Sequence, residues 1–520
     1  MVILAPGEYG VYDPAASAGC LRLPAPTAGE TEYLVALVSG AGDVTETGVS
    51  GPFNLRTAVP ASPGPSLVPE SQSVPRRNPT TPELFHHSLR LMEQNFQVGA
   101  SQRFLAPPAP TLAPPPIVGS ERVFSICKVL ACTSFDTLTA VARYVDAHVA
   151  VYLDKIVPTA DPFTQQDLDE LGRTFELYHY PIDRNAYGNE SDLDGNGVIA
   201  ILLTDAVNAL TPDCSNGRIL GFFWPGDLLN ITGSNGGEVF YGMVPSPPTT
   251  GCTAATREKT VDRLKPTMIH ELQHMISYNQ HVLIRNAPNG ELAWLNEALS
   301  HYAEELGGRL IPNAECVGFT SCRSQYISGN LLDAYDFLEN TEGTFLVVPS
   351  SKSPSLEERG AGWMFVRWLT DHYGSDSLGT NLTRALVQTT LRGDANVVAA
   401  TGGNFPSLVA EWLLAAYVDD LENFAPLSDR ITYKSWGFRA TFLANCCEQN
   451  STFPKAFPTD APVIVGPFSR SGTLRGGSGK HFRIVRMTGS LNQDLILGSN
   501  TSGDGIDQAL KARIAIARIQ

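Results

Sequence analysis

The sequence predicts an α+β protein, a core of mixed sheet plus a helical part with all-β flanking segments. Three observations predict this. Short apolar runs bounded by Gly and Pro occupy both ends of the 520-residue chain. Strand-like runs dominate the first half of the middle, and from Pro266 onward apolar spacing becomes mostly helical. Strands first and helices afterwards are the α+β order.

In chain order, residues 1–57 form an all-β segment whose clearest strand is Tyr33–Val38. Residues 58–119 are Pro-rich linkers with one helix. The stretches 58–82 and 106–116 have extended compositions that form no packed core. Between them Leu84, Leu89, Leu91, Met92 and Phe96 have helical spacing, as a helix docked on a neighbouring domain or as the remnant of a pro-segment at 81–105. Residues 120–455 are expected to form one α+β domain. It opens with strands at Val123–Val129 and His148–Leu153, a helix near Gln165–Leu177, a strand at Val198–Leu203 and an edge strand at Glu238–Met243. Residues 456–520 are a small all-β segment with runs at Phe482–Met487, Leu495–Leu497 and Arg513–Ile519. The terminal segments fit two modules or two halves of one sheet structure.

Hydrophobic residues at 43% are ordinary for a folded protein, and charged residues at 17% are few. Lys and Arg number 37 against 53 Asp and Glu, and the resulting charge of −16 repels phosphate backbones, so nucleic acid is not expected as a partner. No apolar run approaches the roughly 18 residues of a membrane span. Met1–Ala5 is too short, and lacks the basic flank, for a complete signal peptide. The chain is expected to be a soluble monomer from which a leader was removed. Of nine cysteines, Cys127 with Cys132, Cys214 with Cys252 and Cys316 with Cys322 are close couples that favour disulfides and an oxidising compartment. No repeated C-x2-C supports a zinc ribbon. Cys20, Cys446 and Cys447 then share one bond and one leftover thiol.

Near the midpoint stands His270-Glu271-Leu272-Gln273-His274. Residues four apart share a helix face, so both imidazoles reach one ion while Glu271 stands beside the water to be activated. Pro266 reads as part of this helix's first turn. A catalytic zinc needs a third protein ligand and an open position. Glu297 fits, on a second helix marked by Leu295, Leu299, Tyr302 and Leu306 after the Pro288-Asn289-Gly290 turn. His281 is a rival, but Met275–Gln280 lacks the Gly turn a third histidine requires. His301 and Glu304 are expected beside the ligands, orienting them through hydrogen bonds.

Trp294-Leu-Asn-Glu-Ala-Leu-Ser-His301 resembles the second zinc motif of gluzincins, the thermolysin-like and aminopeptidase-N-like metallopeptidases. Together with Asp192-Leu-Asp-Gly-Asn-Gly197, Gly221-Phe-Phe-Trp-Pro-Gly-Asp227, the strand around Glu238–Tyr241, Ile269–Met275 and Gly360–Leu369, it is similar to the hyicolysin family of secreted bacterial neutral metalloproteases. The resemblance is collinear over roughly 120–375. It implies a gluzincin-like core, zinc held by His270, His274 and Glu297, Glu271 as general base, and protein or peptide substrates. The oxyanion-stabilising Tyr of aminopeptidase-N-like enzymes is absent from the comparable Glu357-Glu358-Arg359-Gly360 stretch. Tyr326, Tyr335 and His372 remain as oxyanion donors by analogy with thermolysin-like enzymes. Gly236-Gly237-Glu238 lacks the rest of an amine-binding motif, which favours an endopeptidase. The edge strand would hold an extended substrate by main-chain pairing.

Competing readings are a catalytically silent zinc domain in a binding or adhesive protein, and a zinc hydrolase of another amide or ester. Asp192, Asp194 and Asn196 match the first half of a calcium loop, but Leu203 stands where a bidentate Glu belongs, so an Asx-rich turn competes with Ca2+ binding. His86 and His87 point to different helix faces and are not expected as ligands. Trp363, Phe365, Val366, Trp368 and Leu369 read as core packing. Asn-x-Ser/Thr patterns such as Asn189-Glu-Ser191 read as polar loops in a bacterial product.

Overall fold

The computed structural model describes residues 1–42, 44–45, 50–58, 77–96, 114–249, 251–448, 451–502 and 504–520. Most of the two Pro-rich stretches, and residues 97–105 of the 81–105 segment, lie outside the described residues. Strands β1 (Tyr9–Tyr12), β2 (Cys20–Leu23), β3 (Thr31–Val38) and β4 (Ser50–Thr57) precede helix α1 (Thr81–Asn95). Then come β5 (Glu121–Cys127), β6 (Phe135–Val145), β7 (Val149–Asp154), α2 (Gln165–Thr174), α3 (Tyr180–Ala186), β8 (Ile199–Leu203), α4 (Asp205–Ala209), β9 (Gly221–Phe223) and β10 (Val239–Gly242). Helices α5 (Arg257–Tyr278), α6 (Ala293–Leu310), α7 (Cys322–Tyr326), α8 (Ser328–Glu339), α9 (Leu356–Tyr373), α10 (Thr380–Val387), α11 (Gly393–Thr401), α12 (Phe405–Val418) and α13 (Phe438–Ala444) follow. The chain closes with β11 (Val463–Val465), β12 (Ser469–Arg475), β13 (Gly479–Arg486), β14 (Gln493–Gly498) and β15 (Arg513–Arg518). The architecture is α+β.

Two compact units divide the chain: Met1–Arg77, Leu331–Ser377 and Val397–Gln520 form one, Asn78–Asn330 and Leu378–Asn396 the other. Residues 120–455, expected as one catalytic domain, are thus shared between them. In the first unit the terminal segments interleave. β3 lies between β13 and β15 in the sheet β1-β15-β3-β13-β11, and β4 lies between β12 and β14 in the sheet β12-β4-β14-β2. Each segment alone is too small to bury a core. Interleaved, alternate residues of both sheets make one: Tyr33, Val35 and Leu37 of β3 with Phe53 and Leu55 of β4, Phe482 and Ile484 of β13, and Leu495 and Leu497 of β14. In the same unit Trp363, Phe365, Val366, Trp368 and Leu369 are fully buried on α9.

The second unit carries a six-stranded sheet in the order β5-β6-β7-β8-β10-β9. β7, β8 and β10 run parallel and the other pairs antiparallel. This corrects the reading of Glu238–Met243 as an edge strand. β10 is paired on both sides, with Tyr241 opposite Leu202 on β8 and Phe222 on β9. The edge on that side of the sheet is β9, whose three residues are too few for an alternation signal to reveal.

Helix α5 packs on β9, β10 and α6. It begins earlier than expected. Thr256 caps it by accepting from the Lys259 amide, with Glu258 in the first turn, so Pro266 lies inside the helix rather than in its first turn. An interior proline leaves the carbonyl four residues back without its amide donor. Here that carbonyl is Asp262, and the Gln325 side-chain amide on α7 donates to it at 3.2 Å.

Candidate metal centre

One turn apart on α5, His270 and His274 bring their Nε2 atoms to 3.1 Å from each other. Helix α6 turns Glu297 toward both: its Oε2 is 3.6 Å from His270 Nε2 and its Oε1 3.9 Å from His274 Nε2. All three are buried. A tetrahedral zinc at the usual bond lengths separates its ligand atoms by roughly 3.3 Å, so two imidazole nitrogens and a carboxylate at these spacings fit the ion. Leu295, Leu299, Tyr302 and Leu306, fully buried along one face of α6, hold Glu297 there.

The far ring nitrogens are held as well. Glu304 Oε1 lies 2.6 Å from His270 Nδ1 and 3.3 Å from His301 Nδ1. Asn330 accepts from the same His301 nitrogen at 2.9 Å and donates to the His301 carbonyl. His274 Nδ1 meets Asn296 Oδ1 at 3.1 Å. In the neutral rings, with each Nδ1–H spent on an acceptor, each Nε2 presents a lone pair to a cation.

Electrostatics follow from crowding acids and imidazoles in a dry place. Burial works against a charged His270, but the carboxylates of Glu297 and Glu304 beside it outweigh that and push it up to about 10. His274 goes the other way, held well below the usual imidazole range by burial and by the Arg90 guanidinium. Burial raises Glu271, with His270 and Arg90 opposing. Its Oε2 accepts from the Phe223 amide of β9 at 2.9 Å, which ties the carboxylate to the sheet edge.

Other expected residues fall elsewhere. Tyr326 spends its hydroxyl on His179 Nε2 at 2.8 Å. Tyr335 and His372 belong to the first compact unit. There the Tyr335 hydroxyl accepts from the Lys455 amide at 3.0 Å, and His372 Nε2 meets the Thr432 carbonyl at 2.9 Å. At the Asp-rich turn, Asp192 and Asp194 are joined by Glu238, their oxygens all within 4.8 Å of one another. Asn196 does not join them: its amide nitrogen donates to Asp194 and its oxygen accepts from Val198 N. His281 is fully buried, with Nε2 4.0 Å from Glu291 Oε2. The cysteines pair as 127–132, 214–252, 316–322 and 446–447, with Cys20 free and exposed.

Sequence reasoning missed what α1 brings. His86 Nδ1 lies 3.5 Å from Glu271 Oε1, and Phe85 packs edge-on against Phe222 of β9 with ring centroids 5.0 Å apart. Glu93 accepts from the Asn296 side-chain amide at 2.7 Å, and Arg90 pairs with Glu93 at 3.0 Å. Burial pushes the Glu93 carboxyl up to about 8 against the pull of Arg90. No local pattern announces such contacts, because α1 and α6 are far apart in the chain.

No family model matches the chain. Over 145 residues it is 29% identical to the neutral metalloprotease ShpI of Staphylococcus hyicus, a stretch that covers 28% of this chain and 31% of that protein. The matched stretch is thus less than a third of the length of that relative. Among solved structures, an M1 zinc metallopeptidase mutant from Deinococcus radiodurans aligns with 56% of this chain and 52% of that one, at 12% identity and a TM-score of 0.28.

Proposed function

We propose that the chain is a zinc-dependent peptidase, an extracellular bacterial endopeptidase related to the hyicolysin family. The observation that carries this reading is the convergence of His270 Nε2, His274 Nε2 and the Glu297 carboxylate within 3.1–3.9 Å of one another, with Glu271 next to His270 on the same helix. The similarity to a neutral metalloprotease supports it. The disulfide pairs support an oxidising compartment.

His270, His274 and Glu297 would hold the ion. When bound, zinc acts as a Lewis acid that polarises the scissile carbonyl and acidifies water. Glu271 takes a proton from the attacking water and returns it to the departing amine. Its Oε2, fixed by the Phe223 amide, limits the carboxylate to one orientation, and Oε1 is left to exchange the proton. Burial raises the Glu271 carboxyl, which strengthens it as a base. Glu304 and Asn296 keep the two imidazoles turned to the ion.

Glu271→Gln tests the role of the base. The variant is expected to retain its zinc while peptide hydrolysis falls by about 10²–10⁴-fold, the range for loss of a positioned base. Full hydrolysis with zinc retained would remove Glu271 from the mechanism.

A further inference from the structure

We propose that Glu93 is a positioning residue of the metal centre, acting through Asn296 to fix the His274 ring with Nε2 toward the ion, so that helix α1 is an integral part of the site rather than a removable segment. The inference rests on the zinc reading above and extends it to a helix outside both zinc motifs.

An asparagine amide has nearly the same shape either way round, so its orientation is decided by its partners. Asn296 lies between two. Toward α1 its amide nitrogen donates to Glu93 Oε2 at 2.7 Å; the ionised carboxylate, with Arg90 at its other oxygen, only accepts and so requires the amide nitrogen on that side. Its oxygen therefore faces His274 Nδ1 at 3.1 Å and accepts from it, beside the Ser300 hydroxyl, which lies 3.1 Å from both ring nitrogens and donates its own proton to Gln273 Oε1 at 2.5 Å. The ring proton is thereby placed on Nδ1, and the lone pair falls on Nε2, 3.1 Å from His270 Nε2. Without Glu93 the amide is free to reverse, presenting a donor to Nδ1 and stabilising the tautomer that cannot bind a metal through Nε2.

Glu93 is built to stay in place. It is 1% exposed, and Arg90, one turn earlier and fully buried, approaches its other oxygen at 3.0 Å. Its carbonyl accepts from the Gly290 amide at 3.1 Å, and the Gln94 carbonyl accepts from Asn289 Nδ2 at 2.5 Å. A Cβ at Gly290 would come 3.0 Å from the Glu93 carbonyl oxygen, so the turn before α6 admits α1 this closely because it has no side chain there. At the other end Thr80 and Glu83 form a capping box, and the Thr81 amide donates to the Asn216 carbonyl at 3.1 Å. Both ends of α1 are thus tied to the unit that carries the metal ligands.

Zinc affinity of the full chain, measured by competition with a chromophoric chelator, tests this without any substrate. Glu93→Ala is expected to weaken zinc binding by about 10- to 100-fold, as for other groups that orient a ligand. In an Asn296→Ala background the same substitution should weaken it no further, because the two act in series. Glu93→Gln preserves the shape of the side chain and keeps the test available if the alanine variant fails to fold: Arg90, which only donates, takes the amide oxygen, the amide nitrogen then faces Asn296 and reverses it, and zinc binding should weaken by about 10- to 100-fold as in Glu93→Ala. Wild-type affinity in Glu93→Ala or in Glu93→Gln, or losses that multiply in the double variant, would each overturn the proposal. A wild-type chain that takes up no zinc overturns the zinc reading itself, a separate failure.

Discussion

Glu304 Oε1, 2.6 Å from His270 Nδ1, does for one imidazole what Asn296 does for the other. Its carboxyl is held below the usual range although burial opposes this, because His301 and His270 face it. Glu304→Ala removes the acceptor and leaves His270 free to turn, so zinc affinity should drop by about 10- to 100-fold. Isothermal titration with zinc checks it, and unchanged affinity would show that His270 needs no such partner. At this scale the sequence was legible where spacing dictates geometry. His270 and His274 share a face because they are four residues apart, and Glu304 follows Glu297 by two turns on α6. His86, Arg90 and Glu93 were illegible, since their neighbours come from other elements.

Pro266 within α5 shows how an element absorbs a local violation. The expected boundary at Pro266 failed because Thr256 supplies a cap earlier and Gln325 supplies the donor that proline lacks. Gln325→Ala should leave the Asp262 carbonyl without that donor and destabilise the protein by about 1–3 kcal/mol. In a Pro266→Ala background, where a main-chain amide reaches the same carbonyl, the cost should shrink. Urea unfolding of the wild type and the three variants measures both, and equal costs in the two backgrounds would show that Gln325 acts elsewhere. The edge strand was misassigned for a different reason. β9 has three residues, and strand order depends on pairing that alternation does not encode. Longer elements such as β3, β13 and α6 matched their apolar periodicity within a few residues.

Over the whole molecule, the terminal segments share one hydrophobic core while the metal centre lies wholly in the other compact unit. That interleaving was not legible, because two short β segments look alike whether they pair with each other or with themselves. Three cysteine couples were legible from separation alone, whereas which of Cys20, Cys446 and Cys447 pair was not; the bond is Cys446–Cys447 and Cys20 is the leftover thiol. No helix among the described residues is long and apolar enough to cross a membrane. The charge of −16 leaves the acids beside the metal ligands a small part of a generally acidic chain. On the proposed reading His270, His274, Glu297 and Glu271 form a zinc-dependent peptide-hydrolysing site. Its most direct test is incubation of the full chain with a mixed peptide library, before and after removal of metal and after return of zinc, with products read by mass spectrometry. Internal peptide bonds should be cut by the zinc-loaded chain, spared after chelation, and cut again once zinc is restored. Cleavage that persists in the metal-free protein, or a zinc-loaded protein that leaves every peptide intact, would contradict it.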